Sequence, residues 1–80
     1  SLGTCTRELK EVEKSMSRNE LLLQEVGDKL SHSSLYLEEN KAEMERLLSA
    51  QVTYQKQHGN NERLWLELTA KLDDLEKALI

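Results

Sequence analysis

Mostly apolar residues recur along this chain at alternating gaps of three and four, in two runs separated by His32-Ser33-Ser34. The first run is Leu2, Cys5, Leu9, Val12, Met16, Asn19, Leu23, Val26 and Leu30. The second is Leu37, Asn40, Met44, Leu47, Gln51, Tyr54, His58, Asn61, Trp65, Leu68, Leu72, Leu75 and Leu79. A mean spacing of about 3.5 residues keeps one stripe of a slightly underwound α-helix facing a partner helix. A short connection between two such helices makes them antiparallel neighbours. The pattern therefore predicts an all-α fold, an antiparallel two-helix coiled-coil hairpin whose second helix is the longer.

The boundaries follow from local chemistry. A first helix is expected over about 5–31, capped by Thr4 or Thr6, with Glu8 and Glu11 complementing the positive end of its dipole. Gly27 lies one turn from its end, where it softens the terminus at a cost of about 1 kcal/mol relative to Ala. Serine side chains compete with the helical backbone for hydrogen bonds, so the turn is expected at about 32–35. A second helix then runs over about 36–79, capped by Ser33 or Ser34, with Glu38 and Glu39 in or near its first turn.

A turn centred between Ser33 and Ser34 sets residue i opposite 67 − i. Leu30 then meets Leu37, Leu23 meets Met44, Leu9 lies near His58 and Leu2 reaches Trp65. The second helix would continue some 20 Å further. That leaves Leu68, Leu72, Leu75 and Leu79 uncovered. Exposure forfeits roughly 1.5–3 kcal/mol for each. The expectation is a fragment of a larger protein, its first helix cut short, or a homodimer formed through residues 61–80.

The stretch Gln51–Asn61 is the weak part of the second helix, with Gly59 beside Asn60 and Asn61 and polar residues at seam sites. A kink near 58–61 is expected there. A clean break would instead give a three-helix unit with residues 61–80 folded back, and the off-stripe Leu64, Leu66 and Ala70 keep that alternative open.

Composition narrows the function classes. The 80 residues contain no Pro and no Phe, 32% are charged, and the formal charge is −4 without any basic block. That is the composition of long helices, and it lacks the concentrated positive charge of a typical nucleic-acid binder. No apolar run approaches the roughly 18 residues that span a bilayer. A single cysteine, Cys5, cannot form an internal disulfide; it falls on the seam as a small core residue, in keeping with a reducing, cytoplasmic setting. His32 and His58 have no metal-ligand spacing to Cys5, and three isolated glycines supply no phosphate-cradling loop. No catalytic, cofactor-binding or metal-binding residue is assigned. Tyr36 and Trp65 read as structural, the first locking the turn on the first helix and the second anchoring the seam.

Ser34-Leu35-Tyr36 after a heptad helix, Lys41-Ala42-Glu43, Glu62-Arg63-Leu64-Trp65-Leu66-Glu67 and a closing Leu72-x-x-Leu75-Glu76 together resemble the C-terminal coiled-coil domain of the ABC-F ATPases, notably the Uup and YheS branches. The resemblance extends over about 7–79. It implies a parent with two ATP-binding cassettes that use ATP and Mg, none of whose motifs lies in this chain. It also implies a non-catalytic accessory domain that docks the ATPase on DNA or on the ribosome and its rRNA, in translation. The candidate nucleic-acid contacts are Lys10, Lys14 and Arg18 on the first helix and Lys41, Arg46, Lys56 and Arg63 on the second. The rival expectation is a dimerising structural coiled coil of a cytoskeletal or trafficking protein.

Overall fold

A computed structural model describes all residues, 1–80, as a rod 63 Å long and 15 by 14 Å across. It is an all-α antiparallel hairpin. Helix α1 spans Leu2–Leu30 and helix α2 spans Lys41–Ala78, the second longer by nine residues. The seam positions of both runs are buried or half-buried through the paired region, while Leu2, Leu37 and Leu79 at its ends are exposed. Heptad periodicity therefore becomes packing almost residue for residue.

The ends of α1 differ from expectation. Ser1, rather than Thr4 or Thr6, caps it by accepting the Thr4 amide at 3.3 Å, and Thr6 Oγ1 instead donates to Leu2 O at 2.9 Å. The first turn consequently holds no acidic residue, and Glu8 and Glu11 fall beyond it. At the other end, the Ser31 amide donates to both Gly27 O and Asp28 O, and Ser31 Oγ donates to Asp28 O at 2.6 Å. These bonds satisfy carbonyls that a helix terminus otherwise leaves to solvent.

The connection is longer than the serine cluster suggested. Ser33–Tyr36 forms one 3-10 turn and Glu38–Asn40 a second, so α2 proper begins at Lys41 rather than near 36. Ser33 and Ser34 are thus part of a turn and do not cap α2. Leu37 sits between the two turns in extended conformation, φ −71° and ψ 148°, and Glu38 and Glu39 open the following turn. Leu35 takes the buried place, 8% exposed, while Leu37 stays 52% exposed. Two side-chain bonds fix the geometry: Tyr36 Oη donates to Leu30 O at 2.7 Å, and Asn40 Nδ2 donates to Ser34 O at 2.8 Å.

The wider turn slides α2 by one heptad relative to the tight-turn register. Cys5 Sγ donates to Leu68 O at 3.4 Å, and Val26 packs with Leu47, so residue i faces roughly 73 − i or 74 − i. Leu9 accordingly packs in one cluster with Trp65 instead of reaching His58. The expectation that Leu68, Leu72, Leu75 and Leu79 lie beyond α1 is corrected for three of the four. Leu68 is buried with Cys5 and Val12, and Leu72 and Leu75 pack against that cluster; Leu79 alone is exposed.

Helix α2 also runs unbroken through His58, Gly59, Asn60 and Asn61, with no positive φ at the glycine. The folded-back three-helix arrangement is therefore absent. The polar seam residues leave another mark: they divide the core into two. A basal cluster centres on Cys5, Val12 and Leu68, and a tip cluster on Val26, Leu35 and Leu47. Between them lies a polar middle containing buried Asn19 and half-buried Gln51, His58 and Asn61.

Candidate interaction surfaces

With both helices committed to one seam, any function rests on the faces turned outward. The seven candidate basic residues are all exposed, but the hairpin does not bring them together. Lys10, Lys14 and Arg18 succeed one another at four-residue steps on the back of α1, where they line one shallow depression with Glu13 and Ser17. Lys41, Arg46, Lys56 and Arg63 lie outside the α2 seam stripe and belong to the other side of the rod. Three of the seven are already engaged. Lys14 Nζ lies 3.5 Å from Glu11, Arg46 forks onto both Glu43 carboxylate oxygens at 2.6 and 2.8 Å, and Arg63 Nη2 donates to Asn60 Oδ1 at 3.2 Å.

Titration is perturbed at the Glu43–Arg46 pair. The hydrogen bond from Arg46 holds the Glu43 carboxyl below its usual range, with the positive charges of Arg46 and Lys29 acting in the same sense. The same bond raises the already basic Arg46. Both side chains are in water, so the pair orients charge near the tip more than it stabilises the fold.

Trp65 is half-buried against the basal cluster, with Nε1–H directed at Glu13 Oε2 at a long 3.4 Å. Tyr36 leaves 60% of its surface exposed while its hydroxyl ties the turn to α1. Cys5 is 2% exposed, its thiol donating to Leu68 O; it is a packing group rather than an accessible nucleophile. His58 Nε2 lies 2.7 Å from Glu62 Oε1, and its buried Nδ1 has no partner. With the proton on Nε2, Nδ1 is an orphaned acceptor in the polar middle of the seam.

No group of three or more His, Cys, Asp or Glu side chains converges on a common point, and Gly3, Gly27 and Gly59 are far apart along the two helices. No helix is long and apolar enough to cross a membrane.

One surface was not legible as a candidate. On one side of the seam, Ser15, Arg18, Asn19 and Leu22 of α1 and Gln57, Asn60 and Asn61 of α2 line a polar cleft at mid-rod. Three of these residues, Ser15, Leu22 and Gln57, occupy the heptad position flanking the seam; the signal was uncharged side chains there instead of long charged ones. Comparison with protein-family models, curated proteins and solved structures finds no match to the chain.

Proposed function

We propose that the hairpin is a non-catalytic docking element, the C-terminal accessory domain of a cytoplasmic ABC-F type ATPase, which it holds against ribosomal RNA or DNA. The observation that carries this reading is the exposed row Lys10, Lys14 and Arg18 at four-residue steps along α1. Steps of four residues on a helix set cations about 6 Å apart along its axis. That is a spacing at which successive side chains reach neighbouring phosphates of a backbone. The two residues most characteristic of the resemblance, Tyr36 and Trp65, serve to lock the turn and anchor the base, so the docking row sits on a stiff support.

The test is a titration of fluorescently labelled RNA stem and duplex DNA at low and moderate salt. Three phosphate contacts give a slope of log affinity against log salt of roughly −2 to −3. Reversing the row with Lys10→Glu, Lys14→Glu and Arg18→Glu is expected to abolish binding while the helical signal is unchanged. Absence of binding to both nucleic acids at low salt rejects the reading.

A further inference from the structure

The hairpin exposes more surface than its mass requires. Its accessible area is 6008 Å² for 9.2 kDa, whereas a compact monomer of that mass exposes roughly 4,900 Å². The excess, about 1,100 Å², is at least what one partner contributes to a standard protein–protein interface, about 800 Å². Only seven of the 80 residues are buried, so the chain has little internal core to offset this exposure.

The mid-rod cleft shows where that surface is prepared for a partner, and of what kind. Asn19 is 6% exposed, its amide forms no hydrogen bond within the chain, and it opens into the cleft. Around it stand Gln57, Asn60 and Asn61, with Arg18 the one charged residue of the lining and Asn60 Oδ1 already accepting from Arg63. A carboxamide carries both donors and an acceptor, so an amide-lined surface is complementary to a copy of itself across a two-fold axis. A single buried Asn in a seam is also a known device for fixing register and oligomeric state.

The apolar groups on the same side obey the same symmetry. Toward the base, Val12, Leu64 and Leu68 line a groove together with Arg7, Glu8 and Glu11. Toward the tip, Leu22 and Ala50 lie on the same side of the seam, both half-buried. Groove and tip-side pair lie about 10 Å to either side of the cleft centre at 1.5 Å per residue. A two-fold axis through the cleft, perpendicular to the rod, therefore seats Leu22 and Ala50 of one copy in the Val12–Leu64–Leu68 groove of the other.

We propose that two copies of this chain pair through this cleft side, antiparallel to each other, as an isologous four-helix bundle with the Asn19, Gln57, Asn60 and Asn61 amides at its centre. The surface differs from the end-to-end contact expected through residues 61–80, and it leaves Lys10 and Lys14 on the outside. It does not rest on the docking role, but it takes Arg18, the third cation of that row, into the interface.

Sedimentation equilibrium of the chain tests it. The expected result is a dimer at tens of micromolar, dissociating on dilution. The double variant Gln57→Lys and Asn60→Lys sets four added cations beside the two Arg18 side chains at the axis and is expected to weaken association roughly a hundredfold or more. Both positions are exposed, and lysine favours helix at least as well as the residues replaced, so the helical signal by circular dichroism is expected to hold. Leu64→Lys, at a position 43% exposed, is expected to act in the same direction, while Gln55→Lys on the opposite side of the seam leaves association unchanged. A chain that stays monomeric at hundreds of micromolar overturns the proposal and leaves the cleft to a different protein. A dimer indifferent to the double variant also overturns it, because the copies then meet through another face.

Discussion

Replacing Leu68 by Ala separates the observed register from the tighter one. Leu68 is 5% exposed and packs with Cys5 and Val12, ringed by Leu9, Met16, Trp65, Leu72 and Leu75. Deleting a fully enclosed leucine costs about 2–5 kcal/mol. The ring here is only half-buried, so part of the space left behind opens to solvent and the lower half applies, about 2–3 kcal/mol. Leu66, two residues away and 62% exposed, is the control; Leu66→Ala is expected to cost under about 0.5 kcal/mol. Both substitutions change helix propensity equally, so that contribution cancels. Urea unfolding followed at 222 nm, at one fixed chain concentration, gives both values, with equal slopes confirming that the unfolded states compare. In a hairpin paired one heptad shorter, Leu68 would lie past the end of α1. The two variants would then differ by less than about 0.5 kcal/mol, and that result refutes the register.

Three further outcomes are expected. Gly59→Ala should raise stability by about 1 kcal/mol, seen as a higher urea midpoint, because a methyl there meets nothing within 4 Å and the backbone is already helical. Asn19→Leu should stabilise the seam by about 1–2 kcal/mol while broadening the distribution of oligomers in sedimentation, since an apolar side chain no longer specifies one pairing. The Glu43 carboxyl, followed by NMR against pH, should titrate below an unstructured glutamate and move up in Arg46→Gln. Its folded pKa is depressed, so its contribution is present above the unfolded value and lost as pH falls through the folded one.

The seam was legible because a periodicity of 3.5 dictates which side chains a helix must bury, whatever it packs against. The register was not, and the reason is the same periodicity. Sliding one helix by seven residues sets every seam position opposite another seam position, so Leu23 meets Gln51 as readily as Met44. Only the turn decides between them. Its length is set by two 3-10 turns and the bonds Tyr36 Oη to Leu30 O and Asn40 Nδ2 to Ser34 O, which no proline or glycine announced. The stripe placed Leu37 on the seam opposite Leu30, but the extended backbone at Leu37 turns it outward and gives the buried place to Leu35. Continuity through Gly59 has a similar origin. A glycine costs about 1 kcal/mol in a helix, less than the burial of the leucines beyond it returns. The basic residues were readable one by one, but their division between two outward faces follows from the packed pair.

The most direct test of the hairpin is a methyl NOE spectrum of chain labelled at Leu, Val and the Cys5 β-position, diluted into an excess of unlabelled chain so that only contacts within one molecule are seen. The structure predicts cross-peaks from the Leu68 methyls to Val12 and Cys5, and from Leu47 to Val26. Leu68 methyls without a cross-peak to any residue of α1 would contradict it.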